Sequence, residues 1–371
     1  MAEPRTYRWG RLLSDFEVGR TYEHPWEVTI DGGAIALLQA SFLDATPIYS
    51  SAAYARELGF RDRPLSPLLC LNLGLSFSVH DVSEQAIAHL AYVEVRYPDA
   101  GYPGDTVRAR STVLGVKPAS SGDRGVVHVR TVLENEHGHV LCAFERKALV
   151  RAGSLTDRPP DTEVTYRPTL ATLATVATSS LEHLPPPLRQ SRAYTPRSTL
   201  PGLAEDFAVG QVFAHDSGKT VGESEHMQLT LLLRNSHPLH VDELYCKANS
   251  FQKTRVVYGG LVLAWTLALT SRDLTGQALW DLGLVNGAHP NPTLGGDTLY
   301  ALSRVESVKL YGATADVTLR IVGIKNQTGR EAWAAHGDAL FAAELDKPAD
   351  QKLKQKVVEV TRTILVPRAM K

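Results

Sequence analysis

Cysteine is scarce in this 371-residue chain: Cys70, Cys142 and Cys246 stand far apart, and no CxxC pair occurs. That spacing argues against a disulfide framework or a zinc site and suits buried thiols in a reducing compartment. An excess of either charge is also missing, with 39 Lys plus Arg against 40 Asp plus Glu and a formal net charge of −1. Such a balance offers no basic surface to nucleic acid or anionic lipid, so a small molecule is the expected partner. Long apolar runs are lacking too. No stretch reaches the roughly 18 residues of a membrane span, and Met1 to Trp9 is polar, without the apolar core of a secretion signal. The expectation is a cytoplasmic protein with no membrane or nucleic-acid partner.

What the chain does have is an internal repeat. Asp15-Phe16-Glu17-Val18-Gly19 is echoed by Asp206-Phe207-Ala208-Val209-Gly210 at an offset of 191, and Tyr102-Pro103-Gly104-Asp105-Thr106 by Leu294-Gly295-Gly296-Asp297-Thr298 at 192. Two motifs at nearly one offset indicate a duplicated domain. A hydrophobic content of 43% over this length is enough for two cores. Between the copies lies a Pro-, Ser- and Thr-rich stretch that includes Pro185-Pro186-Pro187 and reads as a linker. Leu261 to Leu274, preceded by Gly259-Gly260, reads as a buried helix. Thr106–Leu114, Gly125–Glu134, Val140–Arg151, Leu299–Val308, Ala315–Ile324 and Val357–Val366 read as strands, and short turns between them favour an antiparallel sheet wrapped on the helix. Ala342 to Gln355 is charged and helix-permissive and reads as an insertion before the last strand.

The stretch that carries chemistry is Leu233-Arg234-Asn235-Ser236-His237-Pro238-Leu239-His240-Val241-Asp242, followed by Val256-Val257-Tyr258-Gly259-Gly260. It resembles the hydratase motif of the MaoC-like family, D-x-N-P-x-H-x-D followed by a V-H-G helix start. Pro238, His240, Asp242 and Gly259 match, whereas Asn235 replaces Asp, His237 replaces Asn and Tyr258 replaces His. Together with Glu225-His226, Val285-Asn286-Gly287, Tyr92-Val93-Glu94-Val95-Arg96 and Tyr102 to Thr106, these runs resemble the mesaconyl-CoA hydratase (β-methylmalyl-CoA dehydratase) branch of that family. The resemblance spans most of both repeats. It implies an α+β double hot-dog fold, with units at 12–152 and 200–368 and a linker at 153–199. It also implies an acyl-CoA substrate, no metal and no bound organic cofactor, CoA being part of the substrate. The broad sheet surface of paired hot dogs leads us to expect a homodimer or larger homo-oligomer.

The residue chemistry points the same way. Hydration of an α,β-unsaturated thioester needs a base for water, a proton for the α-carbon and donors for the enolate oxygen. His240 can serve as base and acid, because an imidazole ordinarily titrates near pH 6.5. Asn235 can hold a water without taking its proton, or act instead as a helix cap or turn former. Gly259 stands at a helix start, where its N–H can meet the thioester oxygen and a missing side chain admits the substrate. Tyr258 and Gly260 flank it and are grouped with the substrate-binding residues. The free carboxylate of mesaconyl-CoA calls for an anchor, for which Arg234 and Arg255 are nearest in sequence and His289 comes third. The alternative for either arginine is a solvated surface charge and, for Arg255, a CoA phosphate contact. His237 is expected to orient the loop. In the first repeat the equivalents of Asn235, Pro238, His240 and Gly259 are Asp44, Pro47, Tyr49 and Leu68. No histidine or glycine helix start is present there, so that half is expected to contribute pocket walls only. Competing readings are a hydratase for another enoyl thioester, a thioesterase on the same fold, and a noncatalytic acyl-CoA binding protein.

Overall fold

The computed structural model describes residues 6–157, 184–189, 194–196, 199–345 and 347–369. Most of the expected 153–199 linker lies outside the described residues.

Two helices are apolar on every side and therefore have to be enclosed. Pro67–Phe77 is buried at every position, capped by Ser66 and entered through Pro67, whose missing N–H costs nothing at the first helical position. Gly259–Leu269 is its counterpart, buried from Gly260 onward. The expected Leu261–Leu274 helix thus begins two residues earlier and breaks at Thr270, whose hydroxyl donates to the Leu267 carbonyl at 2.7 Å. Ser271–Leu274 forms a separate turn.

A sheet wraps each helix. The first half supplies β1 (Thr21–Thr29), β2 (Ala86–Arg96), β3 (Thr106–Pro118), β4 (Arg124–Asn135) and β5 (Val140–Arg151). The second supplies β6 (Val212–Ala214), β7 (Lys219–Thr220), β8 (Trp280–Ala288), β9 (Thr298–Tyr311), β10 (Thr314–Lys325) and β11 (Lys356–Pro367). The spatial order is β1-β3-β4-β5-β2-β8-β11-β10-β9-β6, with β7 beside β9, so the second half repeats the order of the first in mirror sequence. All pairings are antiparallel. The six strands expected from sequence are all present. Those not anticipated have broken alternation: β2 shifts register three times against β5, β1 carries Pro25 at its irregularity, and β8 contains two glycines.

The repeat extends to polar bracing. His24 bonds Asp81 at 2.9 Å through Nδ1 and Ser111 at 2.7 Å through Nε2, and His215 bonds Asp273 at 2.5 Å and Ser303 at 2.9 Å through the same atoms. Both imidazoles are buried, and both halves carry the arrangement, so in each unit it ties the sheet to the helical turn that follows the central helix. The two Gly-Asp turns are strand entries, as expected: Asp105 accepts from the Tyr102 amide at 3.0 Å and Asp297 from the Leu294 amide at 2.9 Å.

The charged segment from Ala342 to Gln355 lies between β10 and β11, the insertion expected before the last strand. Among its described residues there is no α-helix, only a 3-10 turn at Ala349–Gln351, and the short α-helix before β11 lies earlier, at Gly329–His336. Its charges are spent on tying down loop backbone. Buried Glu344 accepts from the Leu353 amide at 3.1 Å and from Lys347 at 2.8 Å, and its own amide donates to Glu359 at 3.0 Å.

The halves meet in two layers. In the sheet, β2 pairs with β8 through Tyr92 to Gly287, Glu94 to Val285 and Val95 to Leu284. Beneath it the two central helices touch, and Asn72 Nδ2 donates to the Leu68 and Gly260 carbonyls at 2.8 and 3.1 Å. A Cβ on Gly260 would stand 2.3 Å from Asn72 Oδ1, so only glycine permits this approach. At the sheet seam Gly283 has φ of +140°, and a Cβ there would fall 2.1 Å from the Val95 carbonyl oxygen. Gly283→Ala is therefore expected to cost about 2–4 kcal/mol, read as a lower urea midpoint. Gly115→Ala, where the nearest neighbour is 4.0 Å away, serves as control; equal midpoints for the two variants would contradict a tightly constrained seam.

Candidate active site

A cavity of about 110 Å³ opens at this seam and is lined from both halves. The second half contributes Asn235, His237, Leu239, His240, Tyr258, Gly259, Gly260 and His289; the first contributes Leu75, Val79, Ser83, His89, Tyr92 and Arg146 among others.

His240 lies on a 3-10 turn, Pro238–His240, which opens with Pro238 after the His237 cap. Its Nδ1 is 2.7 Å from the Val256 carbonyl. A carbonyl only accepts, so Nδ1 carries the proton and Nε2 keeps its lone pair. Burial, reinforced by His237, pushes the imidazole down to about 3, against the opposing pull of the Val256 hydrogen bond. His240 is therefore neutral at pH 7, with a bare Nε2. His237 has no such free atom: Nε2 faces the Ala86 carbonyl at 3.4 Å, and Nδ1 accepts from the Leu239 amide at 3.0 Å. It orients the loop.

Asn235 follows a left-handed Arg234 (φ +66°), which turns the chain out of the preceding helix, and its side chain is buried. Oδ1 accepts from the His237 amide at 3.1 Å, whereas Nδ2 is buried with no hydrogen-bond partner. The side chain also lies beside the Tyr258 hydroxyl, which Ser76 approaches at 3.3 Å. Burial holds that phenol well above its ordinary range, so it stays neutral.

Gly259 and Gly260 are the first residues of the central helix, where N–H groups have no carbonyl of their own helix to bond and the helix dipole is positive. A Cβ on Gly259 would lie 3.0 Å from His289 Nε2. Position 259 thus faces the cavity, whereas the bareness of Gly260 serves helix packing. His289 Nδ1 is 3.2 Å from the Val357 carbonyl and Nε2 is 3.3 Å from the Tyr92 hydroxyl, and burial brings this ring down to about 4.

The two arginines nearest in sequence do not join the site. Arg234 is exposed and outside the cavity lining. Arg255 is held at 2.8 Å by Glu223 and at 3.1 Å by Glu243, also outside the lining. The arginine in the cavity is Arg146, from β5 of the other half, 3% exposed. It occupies an inward position of the β5 alternation, with buried Phe144 and Ala148 on either side. A charged residue in that register was the signal available in the sequence.

The corresponding place in the first half is nearly closed. A cavity of about 20 Å³ remains, lined by Asp44, Tyr49, Ser66 and Leu69 among others. Asp44 accepts from the Thr46 amide at 3.0 Å and the Thr46 hydroxyl at 2.6 Å, and the Tyr49 hydroxyl accepts from the Asp281 amide at 3.2 Å. Both groups are occupied, Asp44 within its own loop and Tyr49 by β8 of the other half.

Comparison with known proteins agrees with this architecture. Residues 2–165 match the family model described as mesaconyl-CoA hydratase. The chain is 34% identical to a mesaconyl-CoA hydratase of Cereibacter sphaeroides, over 86% of this chain and 90% of that protein. It is 30% identical to a beta-methylmalyl-CoA dehydratase of Chloroflexus aurantiacus, over 80% and 82% respectively. Among solved structures, a putative MaoC domain dehydratase from Chloroflexus aurantiacus superposes with a TM-score of 0.77 at 26% identity, over 100% of both chains. A Mycobacterium tuberculosis protein with a double hotdog fold gives 0.66 at 18% identity, covering 95% of this chain and 98% of that one. The expected double hot-dog fold is confirmed.

The neutral imidazoles of the cavity, buried at His237 and half-buried at His240 and His289, set a pH dependence. Groups whose folded pKa is depressed bind fewer protons folded than unfolded, so their contribution to stability is full above about pH 6.5 and is lost as pH falls toward the folded value. His237 and His289 at about 4 and His240 at about 3 share this sign. Stability should therefore fall between pH 6.5 and 5. His289→Gln should flatten the slope by about 1 kcal/mol per pH unit, measured by urea unfolding at pH 7, 6 and 5. An unchanged slope would mean that His289 takes up protons equally in the folded and unfolded protein, contrary to the depressed folded value.

Proposed function

The chain belongs to the mesaconyl-CoA hydratase family of MaoC-like hydro-lyases, and from that premise we propose that it reversibly hydrates mesaconyl-CoA to β-methylmalyl-CoA at the cavity between its halves. The observation that carries this reading is the neutral His240 imidazole, with Nε2 unprotonated beside the amide end of the Gly259 helix.

His240 Nε2 takes a proton from water as the water oxygen bonds to the β-carbon. The π pair of the double bond moves to the thioester, forming an enolate, and the Gly259 N–H donates to the oxygen that gains the charge. The imidazolium then returns its proton to the α-carbon, which completes addition of H and OH. Dehydration is the reverse. The low basicity of His240 is offset as the enolate develops, because a nearby negative charge favours imidazolium. Asn235 Nδ2, buried beside the Tyr258 hydroxyl, holds the water by donating to its second lone pair. Every proton transfer is assigned to one residue, and the chemistry requires neither metal nor organic cofactor. Tyr258, Gly260 and His289 shape the acyl pocket beside these groups.

We place the protein in the reducing cytoplasm, consistent with three buried free thiols, and no described helix is long and apolar enough to cross a membrane. We also expect at least a homodimer; light scattering at 40.5 kDa alone would contradict that.

The test is loss of enoyl-thioester absorbance with mesaconyl-CoA. His240→Ala should lower kcat by about 10²–10⁴, with an unchanged melting temperature. Asn235→Ala should be intermediate and Asp44→Asn the mildest. If Asp44→Asn matches His240→Ala without loss of stability, the first half takes part in the chemistry and the one-site assignment fails.

A further inference from the structure

Five arginines are buried among the described residues: Arg11, Arg110, Arg146, Arg320 and Arg362. Four have a carboxylate. Arg11 meets Asp81 at 3.4 Å, Arg110 meets Glu134 at 2.8 Å, Arg320 meets Glu359 at 3.4 Å and Arg362 meets Asp281 at 2.7 Å. Arg146 instead donates from Nη2 to two neutral hydroxyls, Ser78 at 2.8 Å and Ser83 at 3.2 Å, and its Nε has no partner. The Ser78 hydroxyl is itself spent on the Leu75 carbonyl at 2.7 Å. Ser78 also closes the Pro67–Phe77 helix, so the guanidinium sits at the negative end of that helix's dipole, a partial substitute for a counter-ion.

A fully buried cation with no anion is expensive to maintain, and this one lines the cavity that holds His240. Beside it is a second unsatisfied group. Both ring nitrogens of His89 are buried without a hydrogen-bond partner, and its ring lies 4.2 Å from that of Tyr92, the residue paired with Arg146 across β2 and β5. The charged or titratable groups that face Arg146 are Tyr258, Tyr92 and His89, none of them a carboxylate.

We propose that Arg146 is the anchor for the substrate's free carboxylate, with His89 donating to the same group. This inference rests on the hydratase reading above. In mesaconyl-CoA the carboxylate is attached to the carbon that receives water, so its anchor has to share the cavity with the base. Arg146 does so, and Tyr258 bridges the two, its ring 5.5 Å from that of His240. A paired carboxylate no longer repels the hydroxide-like oxygen arriving at the adjacent carbon. The fork of Arg146, with Nε unused, fits bidentate recognition.

The experiment compares kcat/KM on mesaconyl-CoA and crotonyl-CoA, which ends in a methyl group, for wild type, Arg146→Met and Arg146→Lys. In Arg146→Met the loss on mesaconyl-CoA should exceed the loss on crotonyl-CoA by about 10²-fold. Arg146→Lys keeps the charge but not the fork, so the same ratio should fall by a smaller factor; it decides the matter if the Met variant does not fold. Equal losses on both substrates, in whichever variant is folded, would overturn the proposal and make Arg146 structural. A wild type that favours crotonyl-CoA would also overturn it while leaving a hydratase in place. A wild type that hydrates neither would instead overturn the functional reading.

Discussion

The joint between the two repeats is the constraint on which the site depends. Two largely apolar helices are buried beneath their own sheets, and where they meet each other Gly260 lets Asn72 approach. Above them β2 and β8 join the two sheets, with Gly283 admitting the Val95 carbonyl. Where the two layers part, a cavity remains that neither half encloses alone. His240 and the Gly259 amide come from one repeat, and Arg146, His89 and Tyr92 from the other. The equivalent space in the first repeat is only about 20 Å³, closed around Asp44 and Tyr49.

Desolvation then sets the chemistry of what lines that space. It keeps His240 and His289 neutral, and the carbonyls of Val256 and Val357 select which nitrogen of each ring bears the proton. The same desolvation lowers the Arg146 guanidinium to about 10 and leaves it short of an anion. A neutral imidazole and a cation without a carboxylate partner in one enclosure suit the proposed substrate, which brings a carboxylate and develops enolate charge.

Much of this was legible in the sequence because the relevant signals are local. The repeated DFxVG and Gly-Asp turns recur at one offset because each forms the same turn in each unit. Pro238, His240 and Gly259 fall within one loop and one helix start, so their spacing survives in one dimension. What crosses the joint was not legible. Arg234 and Arg255 are near His240 in the chain, yet the left-handed turn at Arg234 points one outward and Glu223 and Glu243 hold the other away from the cavity. Arg146 lies ninety-four positions before His240 and reaches it only through the β2–β8 seam. Its inward register between Phe144 and Ala148 marked it as anomalous without indicating which cavity it enters. The run from Ala342 to Gln355 was legible as an insertion before the last strand, but not the way buried Glu344 ties its backbone down.

The most direct test of a single site at the joint is a crystal structure with the saturated analogue of mesaconyl-CoA, which binds but cannot be hydrated. The thioester oxygen should lie about 3 Å from the Gly259 amide nitrogen, with the carbon that would accept water facing His240 Nε2. An acyl group lodged beside Asp44 and Tyr49, or a thioester directed away from the Gly259 helix, would contradict it.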